Sequence, residues 1–295
     1  MKVGLIGTGL MGLPMAQRLL EAGLLAIAYN RTAEKLEPLK TAGVEMASSP
    51  QTLIQHSTCI VLMLTNAQAI RETLLTEAAR GELAGKTVIQ MGTIAPTESQ
   101  AIRDEIVAAA GTYLEAPVLG SIPEAKAGKL IVMVGATPEQ FENYQPIFQC
   151  FGSEPILIGP VGTAAATKLA LNQLIASLTA AFSTSLSFVM KQGVDTELFM
   201  QILRQSALYA PTFDKKLQRM VNHNFANPNF PTKHLLKDNN LFLTEAESLG
   251  INTRLVAAVS HILQQAISMG LAEEDYSALF AAVEEEAEEG LGGRD

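Results

Sequence analysis

The chain has 295 residues, 48% of them apolar and 17% charged, a balance that suits a globular protein with a full core and excludes a disordered one. Its length suits two domains. The formal net charge of −9 argues against a nucleic-acid binder, which carries a basic face. Cys59 and Cys150, each beside apolar residues, are expected as buried free thiols in a reducing cytoplasm.

The N-terminus has no charged stretch ahead of a long apolar run, so no secretion signal is expected. Val3 to Ile6 reads instead as a buried strand. It breaks into Gly7, Thr8, Gly9, Leu10, Met11 and Gly12, and a helical pattern follows to about Ala22. A G-x-G-x-x-G run between strand and helix is the context of a dinucleotide fingerprint. Gly7 makes the tight turn, Gly9 lets backbone approach a pyrophosphate, and Gly12 lets helix and strand pack closely. The N–H groups at the helix start then favour the phosphates.

Strand two is expected at Leu25–Tyr29, followed by Asn30-Arg31-Thr32 and a helix to about Thr41. In a dinucleotide fold that binds NAD, an acid near the end of this strand holds the ribose hydroxyls. No carboxylate stands here. Arg31 offers a planar fork for a 2′-phosphate, and Asn30 and Thr32 add neutral hydrogen bonds, so NADP(H) is favoured over NAD(H).

Ser49-Pro50 opens a short helix to about His56, and the apolar run Thr58–Leu64 reads as a central parallel strand. Further strands fit residues 87–90, 112–115, 130–134 and 155–158, with a helix starting at Thr137-Pro138. Strands alternating with helices predict a mostly parallel, doubly wound α/β sheet.

After Gly159 the pattern becomes all helical. Gly162 to Lys191 reads as one helix, closed by Gly193. Leu169 to Met190 carries no charge and is long enough to cross a bilayer. Recurrent Ser, Thr, Asn and Gln within it favour a helix buried by protein on all sides. Lys168 and Asn172 lie one turn apart on one face of this helix. Desolvation at its start would make Lys168 usable as an acid or base; the same spacing equally suits a lysine that snorkels from a buried helix. More helices are expected at about 195–205, 214–222, 231–249, 253–269 and 276–286. The acidic run 284–289 is expected to fray into a solvated tail. These readings divide the chain into a dinucleotide-binding domain at 1–161, a long interdomain helix at 162–192 and an all-α domain at 193–295. No metal site is expected from the scattered histidines and cysteines.

Several ordered motifs carry a family resemblance: G-x-G-x-x-G-x-x-M at Gly7–Met15, Asn30-Arg31-Thr32, Glu115-Ala-Pro-Val-Leu-Gly-Ser-Ile-Pro-Glu-Ala-Lys-Ala-Gly128, Gly159 to Asn172, and Phe230-Pro-Thr-Lys-His-Leu-Leu-Lys237-Asp238. The chain resembles the β-hydroxyacid dehydrogenases, which include 3-hydroxyisobutyrate dehydrogenases, and within them the glyoxylate and succinic semialdehyde reductases. The resemblance implies a Rossmann domain, an interdomain helix and an all-α domain that closes the substrate site and forms a homodimer or homotetramer. It implies hydride transfer between the nicotinamide and a small β-hydroxyacid or its aldehyde, with Lys168 as acid/base and Asn172 orienting substrate or lysine. Gly120, Ser121 and Ile122 would hold a substrate carboxylate, and Phe230 would shape the pocket. Thr93, Met63 and Leu64 would meet the nicotinamide side of the cofactor. Lys237 on the cofactor side and Asp238 on the substrate side would close the site, with an exposed helical charge pair as the alternative for those two. His234 is expected to be structural. The chain departs from the family at Leu119, where a serine is usual. Imine reduction on the same fold, or NADP binding without catalysis, are the alternatives.

Overall fold

The computed structural model describes residues Met1–Glu285; the rest of the acidic run, from residue 286, and the last residue of the final expected helix lie outside the described residues. The chain forms two compact units that meet in sequence at Ala170/Leu171.

The first unit is a sheet of nine strands: β1 (Val3–Ile6), β2 (Leu25–Tyr29), β3 (Glu45–Met46), β4 (Cys59–Leu62), β5 (Thr87–Gln90), β6 (Thr112–Glu115), β7 (Val118–Leu119), β8 (Ile131–Gly135) and β9 (Ile156–Gly159). Their order is β3-β2-β1-β4-β5-β6-β8-β7, with β9 beside β8. Strands β1 to β6 run parallel; β8 is antiparallel to β6 and to β7. Side chains alternate between the two faces. Val3, Leu5, Cys59 and Val61 pack on one core with Met15, Leu19 and Phe148. Ile6, Ile60 and Leu62 pack on the other with Leu53, Ile70 and Ile102. Each such side chain contributes about 1.5–3 kcal/mol when fully buried, so helices on both faces follow from the strands' apolar runs.

Register positions the site. Tyr29 pairs with Ile6, Ile6 with Leu62, Leu62 with Gln90, and Gln90 with Glu115. These five residues form one row across the sheet, so the segments that follow them leave from one carboxyl edge, where ligands bind in open α/β sheets.

Three local differences from the sequence reading have physical reasons. The helix expected after Thr32 is split into a 3-10 turn at Ala33–Leu36 and a helix at Glu37–Thr41, because Pro38 fits only a first turn. The two-residue strands β3 and β7 are too short to show a period. The helices Ala67–Leu74, Glu77–Arg80, Pro96–Ala108 and Ile122–Lys126 were not anticipated, although Asn66 and Thr76 cap the first two with their side chains.

The long helix spans Thr163–Lys191, 29 residues, or about 44 Å. It is long and apolar enough to cross a membrane, but only 39% of its most apolar window is buried within the chain. The expectation of burial by protein on all sides includes partner subunits, and this chain by itself covers one part of the helix. Ala176, Thr179, Phe182, Ser183 and Leu186 face inward, while Leu174, Leu178 and Phe188 are 51%, 39% and 64% exposed.

The second unit adds helices at Thr196–Gln205, Pro211–Val221, Thr232–Ser248, Arg254–Ser268 and Leu279–Glu284, the last preceded by a 3-10 turn at Tyr276–Ala278. Its interior holds an ion pair: Lys216 Nζ lies 2.8 Å from both oxygens of Asp275 and 4.2 Å from the centre of the Tyr276 ring. Burial pushes the Lys216 pKa down, opposed by Asp275. Asp275 also accepts from the N–H and hydroxyl of Ser277, so the charge is matched on every side the structure shows.

Candidate dinucleotide and catalytic site

The glycine loop is built by close backbone approaches. A Cβ at Gly7, whose φ is +99°, would lie 2.4 Å from the Met63 carbonyl oxygen; one at Gly12 would lie 1.7 Å from the Gly7 carbonyl oxygen. Both positions exclude any side chain. Gly9 differs: a Cβ there would meet nothing within 4 Å. Internal packing does not explain a glycine at position 9, whereas close approach of a pyrophosphate does. The loop thus fits a bound dinucleotide. The helix Gly12–Glu21 begins without a side-chain cap, so its first N–H groups have no side-chain acceptor. Thr8 is buried, Leu10 is exposed, and Met11 is half-buried against the core.

At the end of β2, the Asn30 side chain accepts from Thr8 N (3.0 Å) and donates to the Thr32 carbonyl (2.9 Å). These two bonds use one acceptor site and one donor of the amide and tie the glycine loop to the segment carrying Arg31 and Thr32. Those two side chains are exposed beside it, and no carboxylate stands between them.

The next loops continue along the edge. Met63 and Leu64 follow β4 and are half-buried. The turn after β5 is shaped by Gln90, a buried residue whose amide accepts from Gly92 N (2.5 Å) and donates to Gly92 O (3.0 Å). A Cβ at Gly92 would fall 2.3 Å from the Leu64 carbonyl oxygen. The Gly92-Thr93 turn is therefore pressed against the loop carrying Leu64.

Sequence reasoning missed the role of Glu115, which it took only as a motif's first letter. Glu115 ends β6 and is 1% exposed. Its Oε1 accepts from the backbone N–H groups of Gly162 (2.8 Å), Ala164 (3.0 Å) and Ala165 (3.0 Å). Its other oxygen accepts from the Ser99 hydroxyl, which also contacts the Tyr113 hydroxyl at 2.8 Å. One carboxylate thus satisfies the orphan donors of the long helix's first turn and fastens that helix to the sheet's carboxyl edge. A Cβ at Gly135 would lie 2.4 Å from Glu115 Oε1, so β8 must be bare there. Burial is the largest influence on the Glu115 carboxyl and raises its pKa; the Ser99 hydroxyl and the backbone donors oppose it. Lys168 lies on this helix five residues after Thr163 and is 8% exposed.

The chain continues from β6 through Ala116-Pro117 into β7, which pairs with β8 as Val118–Val132 and Leu119–Ile131. Gly120 turns with φ +134°, and Leu130 and Glu124 occupy the space a side chain would need. Ser121 precedes the helix Ile122–Lys126. Its N–H (2.8 Å) and hydroxyl (2.6 Å) both donate to Glu124 Oε2. Both Ser121 donors thus meet the Glu124 carboxylate in the capping box that starts this short helix.

In the second unit, Asn172 Nδ2 donates to Asp238 Oδ2 (2.7 Å), and both residues are 2% exposed. Lys237 Nζ lies 2.7 Å from Asp238 Oδ1, pairing the charges without hydrogen-bond geometry. Asp238 is thus buried in a network, not half of an exposed surface pair. The Asn172 Oδ1 atom is buried and makes no hydrogen bond, leaving an acceptor available to a donor. Phe230 packs edge-on against Tyr276 (5.8 Å) and stacks on His234 (6.5 Å). Burial, followed by Lys237 and Lys233, lowers the His234 pKa.

Comparison with known proteins shows the family and the fold. Residues 2–159 match the NAD binding domain of 6-phosphogluconate dehydrogenase. Residues 162–283 match the NAD-binding segment of NADP-dependent 3-hydroxyisobutyrate dehydrogenase. The chain is 31% identical over 285 residues to glyoxylate/succinic semialdehyde reductase 1 of Arabidopsis thaliana, covering 96% of this chain and 98% of that protein. It is 32% identical over 289 residues to 2-hydroxy-3-oxopropionate reductase of Escherichia coli K12, covering 96% and 97%. The crystal structure of 3-hydroxyisobutyrate dehydrogenase from Mycobacterium tuberculosis with L-serine shares the fold, with a TM-score of 0.87 at 19% identity over 96% of this chain and 99% of that one.

Proposed function

The chain belongs to the NADP-dependent 3-hydroxyisobutyrate dehydrogenase family, close to the glyoxylate/succinic semialdehyde reductases, and from that premise we propose how its residues divide the work. It is an NADP(H)-dependent oxidoreductase acting on small hydroxyacids or aldehydes. The cofactor, when bound, supplies or accepts the hydride. Gly7 to Gly12 hold its pyrophosphate, Arg31 and Thr32 its 2′-phosphate, and Met63, Leu64 and Thr93 its nicotinamide side, and Lys237 is assigned to the cofactor as well.

Lys168 is the general acid in the reductive direction. Its Nζ holds the proton that the carbonyl oxygen takes as hydride arrives, and removes it again in oxidation. Asn172, one turn on, orients lysine or substrate through its open Oδ1, and Asp238 fixes the Asn172 amide in that orientation. Phe230 is a wall of the substrate pocket. The observation that carries this reading is the clamp of Glu115 on the helix start, which fixes the first turns of the Lys168 helix at the edge where the glycine loop, Met63 and Thr93 converge. In an NADPH-oxidation assay with short aldehydes, Lys168→Ala should lower kcat by about 10²–10⁴-fold with NADPH affinity kept. Turnover surviving in that variant would remove the lysine from the chemistry.

The division into a Rossmann domain, a long helix and an all-α domain carries over into this reading, supported by family matches that end at 159 and restart at 162. A homodimer is the simplest assembly. Along the long helix, Leu174, Leu178, Ala181, Ser185 and Phe188 are exposed at alternating spacings of three and four, the period of a helix–helix seam. Leu198 (58%) and Ile202 (72%), exposed on the following helix, add to it. Two free buried thiols, Cys59 and Cys150, support a reducing compartment such as the cytoplasm.

A further inference from the structure

The helix Pro96–Ala108 begins just after the turn that carries Thr93, and the residues between are fixed. Ile94 is 1% and Ala95 4% exposed, and Pro96 sets the first helical φ. The Ala95 N–H donates to Glu98 Oε2 (2.9 Å), which closes the helix start. A shift of the Gly92-Thr93 turn therefore passes directly to this helix.

The same helix grips the start of the long helix in three ways. Ser99, fully buried, donates to Glu115, whose other oxygen holds the N–H groups of Gly162, Ala164 and Ala165. A serine hydroxyl has one proton and a carboxylate only accepts, so the Tyr113 hydroxyl, 2.8 Å away, is the donor to Ser99. Burial pushes the Tyr113 phenol up, so it keeps that proton. The donors thus run one way, from Tyr113 to Ser99 to Glu115. Gln100, the next residue, brings its Nε2 to 3.5 Å from the Val161 carbonyl oxygen. A Cβ at Gly162, whose φ is +105°, would lie 2.5 Å from that nitrogen, so the Gln100 amide rests on bare backbone. Val161 itself packs in one core with Ile94 and Ile102.

Reduction needs two deliveries to one carbonyl, hydride to carbon and a proton to oxygen. Lys168 stands one helical turn beyond Ala164, on the same face. The brace that runs from the Thr93 turn through Ser99 and Gln100 to the start of the long helix therefore ties the seat of the hydride donor to that of the proton donor. We propose that Ser99 and Gln100 are positioning residues that hold the Thr93 turn and the start of the Lys168 helix at one spacing, and so set how hydride and proton arrive together. The proposal rests on the reading above of Lys168 as the acid and Thr93 as a contact of the nicotinamide side.

The test compares wild type, Ser99→Ala, Gln100→Ala and a control, Ser57→Ala, in NADPH oxidation with glyoxylate, succinic semialdehyde and 2-hydroxy-3-oxopropionate, at a temperature where each is folded. Ser57 is 1% exposed and donates to the Leu53 carbonyl (2.7 Å), so its variant loses a buried hydroxyl bond without touching the brace. Ser99→Ala should lower kcat by about 10- to 10²-fold, the cost of a misplacement of up to about 1 Å. The KM for the aldehyde and the Kd for NADPH, read by fluorescence, should stay within about twofold of wild type, because neither residue touches a ligand. Gln100→Ala should lower kcat by about threefold with the same split. Its side chain is exposed, so it carries the test where Ser99→Ala does not fold. Ser57→Ala should keep kcat. Wild-type kcat in both brace variants, or a loss spread equally over kcat, KM and Kd, overturns the proposal and leaves the oxidoreductase reading standing. Full turnover in Lys168→Ala, or no turnover of any of the three aldehydes by wild type, overturns that reading, and the proposal with it.

Discussion

Replacing Glu115 tests whether the helix that bears Lys168 is held by one carboxylate. Glu115→Ala leaves the N–H groups of Gly162, Ala164 and Ala165, and the hydroxyl of Ser99, without the acceptor they have now. Each buried donor left unmet costs about 1–3 kcal/mol. Against this, removing a carboxylate whose pKa burial has raised relieves a desolvation cost. The donors outnumber the relief, and a net loss of about 2–4 kcal/mol is expected, as for other broken buried networks. In a protein of this size that lowers the melting midpoint by roughly 3–7 °C. Glu115→Gln keeps a carbonyl oxygen for the three N–H groups and should cost about 1 kcal/mol or less. The two variants should separate in kcat as well: displacing the helix start moves Lys168, and a misplacement of about 1 Å costs on the order of 10²-fold. pH adds a sign. Because the folded Glu115 pKa is raised, the folded state holds the proton longer than the unfolded chain. Its contribution is fully present below the unfolded value near 4.5 and is lost as pH rises through the folded value. The stability advantage of wild type over Glu115→Gln should therefore shrink as pH is raised from 4.5, measured by urea midpoints. Equal melting of the alanine and glutamine variants, or an alanine variant with wild-type kcat, would refute the clamp.

Two further outcomes follow from other parts of the structure. Arg31→Ala should weaken NADPH binding by about 1–3 kcal/mol, the worth of a charge-assisted hydrogen bond, and leave NADH binding within twofold; equal losses in fluorescence titration would take the arginine off the 2′-phosphate. Ile202→Glu with Leu178→Asp places charge on the exposed apolar seam, and light scattering after gel filtration should show a monomer where the wild type gives a dimer; an unchanged mass would move the interface elsewhere.

The α/β alternation, strand positions such as Leu25–Tyr29 and Thr87–Gln90, and the long helix were legible because periodic apolar runs of four or more residues carry a signal. Gly7, Gly9 and Gly12 were legible because a strand precedes them and a helix follows. What the sequence could not show was which polar side chains the protein uses on itself. Nothing in the sequence marks Gln90, Glu115 or Glu124 as partners of the chain's own backbone and hydroxyl groups. The sequence distance from Glu115 to Ala165 hides a contact of 3.0 Å. For the burial expected round the long helix the limit is different: an apolar face carries no mark saying whether its own chain or another covers it.

Asn30 also bears on how cofactor choice can change. Its amide needs both ends, an acceptor for Thr8 N and a donor for Thr32 O. An aspartate at this position could still receive the Thr8 proton, but would set a second acceptor against the Thr32 carbonyl. A carboxylate at the end of the second strand, as in NAD-binding folds, would thus strain the glycine loop here. The preference for a phosphorylated ribose is wired into the loop's own support, and a lineage drifting toward NAD(H) would have to find its acid at position 31 or beyond.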